Sequence, residues 1–449
     1  MDKIRQKPIE KLKTVIIAFL TVTMLALAAL YIGGSQFSQN SAAINSVDMP
    51  NGAVAAGDDA PLQTSVYEKN LLAVSFIGIR YGSLGGGSYM TEQAARDLFE
   101  FTTEPLHALL SSSAAVSEVG AKEFADAVSK NRYICLSLVS ALPYQIVYAL
   151  SGEYIAPLGS ETAINPETLL ISFDEEGNAT LYMREKETYY AAVGDCTLSL
   201  SELSAMASDS RLYDFEIKDG MALSENAPLV QTLSLLQPDI LEGGELQKVL
   251  SLLDYGGIEG QPSAASDMYT VVAPHGNLHI GDGKIIYTAT DEGGIGISSF
   301  LDIEKSELDI ALYDILLSSV SLVEELRESV GKAGGSTLDV YLDGFYQNDD
   351  VYTIIFGVAE SSVPLSGSGF PYLAKITVQG GKFKSVEFNF ISAERSGYAL
   401  SPFSSAWEYR HASKTANVSS ISLRYYIDAL PLSELSAAWY FTGERTVAK

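Results

Sequence analysis

An uncharged stretch of twenty residues, Thr14 to Gly33, constrains the fold of this 449-residue chain more than any other feature. It reads TVIIAFLTVTMLALAALYIG, and at about 1.5 Å of rise per residue a helix of this length matches the hydrocarbon core of a bilayer. Residues 1–13 carry five Lys or Arg side chains against two acids. Because basic flanks stay in the cytoplasm, the sequence predicts a single-pass cell-membrane protein with a cytoplasmic N-terminus and an extracytoplasmic bulk.

A cleaved signal peptide is the alternative interpretation of this segment. The tripeptide at residues 26–28, Ala-Leu-Ala, resembles a small-x-small cleavage site. The apolar run continues beyond it through residues 30–32 and is longer than a typical signal-peptide core. That continuation favours an uncleaved anchor, although the sequence leaves cleavage open.

Small residues four positions apart mark one side of the predicted membrane helix. The pairs are Thr14 with Ala18 and Ala29 with Gly33. Small-xxx-small spacing lets the backbones of two membrane helices approach closely. These four residues are therefore the predicted transmembrane contact face.

The composition is that of a folded, acidic protein. A hydrophobic share of 47% with 10% aromatic residues excludes a disordered chain, and a net charge of −27 predicts repulsion of nucleic acid and anionic lipid. Two cysteines, Cys135 and Cys196, are too few for a disulfide framework. Cys135 lies in an apolar run and is expected to be a buried small hydrophobe; whether the two are bridged stays open.

The fold class expected for the outer chain is α+β, with two or three extracytoplasmic domains of helix plus antiparallel β-sheet. Residues 34–66 are rich in Ser, Asn, Ala and Gly and predict a flexible linker after the basic tail at 1–13 and the membrane helix at 14–33. The predicted folded parts are an N-terminal α+β domain at 67–226, a first helix-plus-hairpin module at 227–303 and a C-terminal helix-plus-sheet module at 304–449.

Three β-hairpins and three helices carry this division. The hairpins turn at residues 176–178, 281–283 and 380–381, where glycine supplies a positive φ between alternating apolar arms. Amphipathic spacing predicts helices over Glu245–Asp254 and Asp309–Val330. An earlier helix from about Thr91, with Thr91 as its cap, is expected to break or kink at Pro105.

The motifs yield no catalytic, cofactor or metal site. Ser329 and Lys332 match Ser-x-x-Lys, but the partner motifs of that nucleophile family are missing from the sequence. His275 and His279 lie in a predicted strand, where four residues span roughly 13 Å, too far for one zinc ion. The chain is expected to be no enzyme; paired acids for sugar cleavage stay open, since nothing singles out a pair.

Four patches resemble the YycH/YycI type of membrane regulator of Gram-positive bacteria: Met268–Ala289, Val351–Val386, and the segments ISLRYYID and AAWYF near the end. The order of basic tail, membrane helix, spacer and helix-plus-hairpin modules is similar too. The resemblance implies a non-enzymatic accessory protein that binds and modulates a two-component sensor histidine kinase controlling cell-wall metabolism, beside a paralogous membrane regulator. It names no small-molecule ligand. The alternative is a tethered envelope protein acting as a cell-wall-binding module or hydrolase.

Overall fold

The computed structural model describes residues 73–445, apart from 113–115, 145, 148–163, 237–240, 242, 257–260, 263–268, 302–309, 311, 336, 401, 415 and 429–434. Within these ranges the chain is a mixed α+β protein whose strands pair antiparallel, with one short parallel pairing. The predicted combination of helices with antiparallel sheet is confirmed.

A seven-stranded antiparallel sheet forms the N-terminal part of the described chain. Its strands are Val74–Tyr81 (β1), Leu84–Tyr89 (β2), Val116–Val119 (β3), Arg132–Leu138 (β4), Thr168–Phe173 (β5), Asn178–Glu185 (β6) and Thr188–Thr197 (β7). Their order across the sheet is β2-β1-β4-β5-β6-β7-β3. Strands β5 and β6 form the predicted hairpin with its turn at residues 174–177.

Both faces of this sheet are covered, and β4 shows how the sequence achieves it. Ile134 and Leu136 face the main core, whereas Tyr133 and Cys135 belong to an aromatic cluster on the other face. Cys135 is completely buried, as predicted, and burial raises the pKa of its thiol to about 12. Cys135 and Cys196 are both free thiols.

Helices pack on this sheet at Gln93–Ser112 (α1), Ala121–Ser129 (α2) and Leu200–Ala207 (α3). Helix α1 runs through Pro105, so the proline does not break the helix, whereas the kink that the sequence also predicted stays a prediction. Proline removes one backbone hydrogen bond, but Leu98, Leu106 and Leu109 bury the apolar face of the helix on both sides of it. The predicted cap is wrong as well, because the Oγ1 atom of Thr91 has no hydrogen-bond partner among the described residues.

A twelve-stranded sheet forms most of the remaining chain. It contains Gln261–Pro262 (β11), Tyr269–Ala273 (β12), Gly276–Gly281 (β13), Lys284–Ala289 (β14), Ile295–Gly296 (β15), Asp339–Asn348 (β16), Val351–Glu360 (β17), Val363–Ser366 (β18), Ala374–Gln379 (β19), Lys382–Asn389 (β20), Ala416–Tyr426 (β22) and Ala437–Arg445 (β23). The main order is β11-β12-β13-β14-β20-β19-β17-β18-β22-β23; β15 pairs with β20 and β16 with β17.

The two remaining predicted hairpins are confirmed as β13–β14 and β19–β20. Apolar residues of the second hairpin alternate inward, so that Ile376, Val386 and Phe388 are fully buried. Strand β14 pairs with β20, and Val230–Leu236 (β10) pairs with Ser392–Leu400 (β21). The ranges 227–303 and 304–449 thus share sheets, and their division into modules stays a prediction about sequence organisation.

Helices Gly243–Leu252 (α4) and Leu312–Ser329 (α5) confirm the two amphipathic helices predicted for this half, and short 3-10 turns occur at Ile297–Phe300 and Gly331–Ala333. Helix α5 buries ten of its residues. A smaller layer of Phe215–Lys218 (β8), Met221–Ser224 (β9) and Ser405–Ala412 (α6) packs against β22 and β23. That layer lies beside the aromatic face of the N-terminal sheet, where Phe215 joins the aromatic cluster.

The predicted membrane helix, and with it the contact face Thr14, Ala18, Ala29 and Gly33, lies outside the described residues. Among the helices that the structure does describe, none has the length and apolar character needed to cross a bilayer.

Candidate binding cleft

A cleft of about 520 Å³ separates the N-terminal sheet from the β22–β23 ribbon. Strands β4, β5 and β6 contribute one wall, and residues 419–424 of β22 contribute the other. The small β8–β9 layer closes one part of it through Met221 and Ala222. The volume is within the range of small-molecule sites in proteins, so the cleft is the first candidate for a functional site.

Hydroxyl groups dominate the polar lining of the cleft. They belong to both walls and to the connecting turns: Thr91, Ser137, Ser140, Thr168, Ser361, Ser362, Ser405, Ser419, Ser420, Ser422 and Thr442. A hydroxyl both donates and accepts hydrogen bonds. Such a lining suits a ligand that itself carries many hydroxyls.

An ion pair lies at the end of the cleft where β5 and β6 meet β22. Arg184 is 2% exposed, and its Nη1 atom is 3.1 Å from Oε2 of Glu167. Its Nη2 donates to the backbone oxygen of Ser419 at 2.6 Å, which joins the two walls. Burial raises the pKa of Glu167, and the nearby Arg184 charge offsets only part of that effect.

A second charged group of the cleft lining is Asp343, in strand β16. Asp343 accepts a hydrogen bond from the Ser140 hydroxyl. It also faces the phenol of Tyr341, whose pKa is raised well above its usual value mainly by burial and then by the Asp343 charge. Arg424 lines the same part of the cleft, and its Nε donates to Oγ of Ser422 at 2.9 Å.

Aromatic side chains form the apolar part of the lining. Phe76 and Tyr89 pack edge to face with ring centroids 5.2 Å apart, and Trp439 lies 6.0 Å from Tyr89. The Tyr89 hydroxyl donates to Oγ of Ser405 at 2.8 Å, and burial raises its pKa to about 12. Tyr89 is therefore a neutral, fixed wall at any physiological pH.

The turn at Ser361 and Ser362 borders the cleft, and its residue types differ from those of the other turns with the same backbone geometry. It joins β17 to β18 through two residues with φ of 50° and 66°, a geometry that favours Asn-Gly or Asp-Gly. Two other two-residue hairpins with both φ values positive use Asp-Gly, at residues 219–220 and 282–283, and another uses Gly-Gly at 380–381. Strained residues cluster at functional sites, and here both strained residues of the turn carry a hydroxyl.

The same serine turn borders a second cavity of about 660 Å³. Its lining includes Arg96, Asp339 and the ion pair between Glu360 and Arg395. Glu360 is 3% exposed, whereas the side chain of Arg395 is largely in solvent. Burial raises the pKa of Asp339, and the neighbouring Glu360 charge raises it further.

The residues singled out from sequence motifs lie outside the cleft. His275 packs between Tyr255 and Tyr287, and His279 bonds to Oγ1 of Thr270 at 3.0 Å, so both are structural. Ser329 is the last residue of helix α5. Across the described chain, no group of three or more His, Cys, Asp or Glu side chains is arranged to hold a metal ion.

Apart from one short run in β22, the cleft residues gave no sequence signal, because they come from segments between residues 75 and 442 that only the fold brings together. The available clue was the run of alternating serines before Arg424 in β22, which places Ser420, Ser422 and Arg424 on one face.

Comparison with known proteins adds one weak similarity. No protein-family model matches the chain, and no curated protein matches it. The chain is similar to the crystal structure of an uncharacterized protein from Eubacterium rectale ATCC 33656, with a TM-score of 0.33 and 11% identity over 50% of this chain and 82% of the other. Similarity at that level carries no argument about fold or function.

Proposed function

We propose that this chain is a non-enzymatic, single-pass membrane protein whose extracytoplasmic part binds a ligand and whose membrane helix modulates a sensor histidine kinase of cell-wall metabolism. The cleft between the N-terminal sheet and the β22–β23 ribbon is the observation that carries the binding part. The apolar segment at residues 14–33 and the sequence resemblance to YycH/YycI regulators support the anchoring and kinase parts.

The chemistry of the cleft favours binding over catalysis. Its serines face other hydroxyls, carboxylates or backbone groups, and none of the described histidines lines it. Catalytic serines are activated by a histidine or lysine base within hydrogen-bond reach, whereas Ser140 donates its hydrogen bond to the weakly basic carboxylate of Asp343. The thiol of Cys135 is buried with a pKa of about 12, and a reactive thiol needs the opposite shift.

Co-purification of the kinase from membranes tests the kinase part. Replacing Ala18 and Ala29 together by Ile adds bulk on the predicted contact face and is expected to weaken recovery of the kinase with the tagged full chain. Leu20→Ile with Leu27→Ile is the matched control, because helical spacing puts these positions on the opposite side. Equal recovery with both double variants contradicts the proposed contact.

A tethered cell-wall-binding module is the second candidate, and one surface feature favours it. The ring of Phe403 stacks on Trp407 and Trp407 stacks on His411, with centroid distances of 4.1 and 3.7 Å, and the last two residues belong to helix α6. Phe403 is 61% exposed, and exposed aromatic rings are common contact groups for partners. Co-sedimentation with purified peptidoglycan that is lost in Phe403→Ser but kept in Tyr346→Ser, another exposed aromatic, is the result that this function requires.

A further inference from the structure

The cleft reverses the charge balance of the protein that surrounds it. Acids outnumber bases 56 to 29 in the whole chain, yet the cleft lining contains three cations, Arg184, Lys186 and Arg424, against two carboxylates, Glu167 and Asp343. A local excess of positive charge within an acidic surface focuses anionic ligands into the concave region. The charge pattern points to a ligand with a negative group.

Arg424 is the cation that is available for such a group. Arg184 is already neutralised by Glu167 and bonded to the opposite wall. Within the described chain, Arg424 has no carboxylate within ion-pair distance, and its side chain makes one hydrogen bond, from Nε to Ser422. The terminal nitrogens of its guanidinium keep the planar fork that holds a carboxylate in two parallel hydrogen bonds.

The remaining lining describes the rest of the ligand. Ser420 and Ser422 precede Arg424 on the same face of β22, and Ser419 at the Arg184 end is five residues from Arg424, roughly 16 Å along a strand. Hydroxyls therefore follow the cleft between its two cationic ends. The rings of Tyr89 and Trp439 also line the cleft, and Trp439 does so from the Leu423 face of the β22–β23 ribbon, opposite the face that carries Arg424.

We infer that the cleft binds a carboxylate-bearing, polyhydroxylated ligand, the chemistry of an acidic sugar, with its carboxylate on Arg424. The inference rests on the proposed function only in taking the cleft as a ligand site. Ring hydroxyls bond to the serines of β22 and of the Ser361–Ser362 turn. A binding role then explains why serine occupies that strained turn, since glycine there would relieve the backbone strain but would also remove a hydroxyl donor.

Tryptophan fluorescence of the full chain in detergent tests the inference, because Trp439 lines the cleft and the chain has two tryptophans. Two acid–neutral pairs are titrated: glucuronate with glucose, and N-acetylmuramate with N-acetylglucosamine. Each acid is expected to bind at least tenfold more tightly than its neutral partner. The two pairs distinguish a general uronic acid from a cell-wall sugar acid, and N-acetylalanine tests a carboxylate without hydroxyls.

Arg424→Gln is expected to remove the preference for the acid, with a loss of tenfold or more, while Arg424→Lys keeps part of it. Arg410→Gln is the matched control, because Arg410 pairs with Glu225 on the surface outside the cleft. Ser422→Ala removes a lining hydroxyl that also accepts the hydrogen bond from Nε of Arg424. It is expected to weaken binding of the sugar acids by about threefold and that of their neutral partners less, and unchanged binding of the acids contradicts the role given to the serines of β22.

Equal affinity for acid and neutral sugars, an unchanged preference in Arg424→Gln, absence of binding by every probe, or binding of N-acetylalanine as tight as that of the sugar acids each overturns the inference. Kinase recovery by the full chain is measured on the same preparations. A chain that recovers the kinase but ignores these ligands refutes the ligand class and leaves the kinase proposal standing.

Discussion

The serine turn between β17 and β18 gives the sharpest stability test. Ser361 and Ser362 both have positive φ values, where an L-residue with a β-carbon is strained by roughly 1–2 kcal/mol. Ser362→Gly removes that strain and costs roughly 0.5–1 kcal/mol of extra unfolded-state entropy. Ser361→Asn adds a few tenths of a kcal/mol at most, since asparagine tolerates this region.

The double variant Ser361→Asn/Ser362→Gly is therefore expected to raise the free energy of unfolding by about 1 kcal/mol. Ser361 Oγ donates to Oε1 of Glu360 at 3.0 Å, and an asparagine amide is able to donate in its place. Urea unfolding followed by circular dichroism measures the change as a shift of the midpoint at constant slope.

The fold contains its own reverse control in the β13–β14 turn. Asp282 and Gly283 have φ values of 51° and 70°, so Asp282→Ser with Gly283→Ser installs the strained pair in an equivalent turn. That exchange is expected to lower the free energy of unfolding by about 1 kcal/mol. A midpoint that moves in the same direction for both exchanges, or a loss of stability in Ser361→Asn/Ser362→Gly, refutes the strain argument.

Three further predictions concern the cleft and the sheets. Burial raises the pKa of Glu167, so the folded state holds the proton of this group more tightly, and the free energy of unfolding falls as pH rises from about 4.5 through the raised pKa. In Glu167→Gln this fall is expected to be absent. Parallel profiles of unfolding free energy against pH in the two proteins contradict the prediction. In Gly357→Ala the new Cβ lies 2.4 Å from the Tyr341 ring, so the free energy of unfolding measured with urea is expected to fall by roughly 1–3 kcal/mol. The control Gly243→Ala, whose new Cβ meets no atom within 4 Å, is expected to show no such loss. Phe388→Ala, from a fully buried site, is expected to cost roughly 3–5 kcal/mol by the same measurement, and a cost under 1 kcal/mol contradicts its core role.

Local features of the fold were predictable because their causes are local. Hairpin β19–β20 is predicted by the alternation of its apolar residues and by the turn Gly380-Gly381, whose φ values are 55° and 67°. Helix α5 follows from one amphipathic period. The continuation of helix α1 past Pro105 and the missing cap from Thr91 share a reason, because burial of the helix against the sheet outweighs one lost backbone hydrogen bond and the absence of that cap.

The cleft was not predictable, because serines and isolated charges are common, and the alternation of Ser420, Ser422 and Arg424 does not indicate what their face of the strand meets. In the sequence Arg184 is one charged residue of β6 among others, and its neighbours in the chain do not predict that it is buried against Glu167 and Ser419. The motif residues were singled out because their spacing matches known motifs by chance, and the fold places them away from the cleft. His275, for example, packs against aromatic rings of the large sheet.

By itself, the sequence determined what depends on neighbouring residues: the uncharged segment at 14–33, the hairpin turns and the amphipathic helices. Only the tertiary structure decided which strands meet, since the pairings β14–β20 and β10–β21 join residues more than ninety positions apart. It also decided that Arg424 faces hydroxyls and lies within no carboxylate's ion-pair reach among the described residues. The physical reason is that burial and electrostatic environment are properties of the assembled surfaces, and segments distant in the chain supply them.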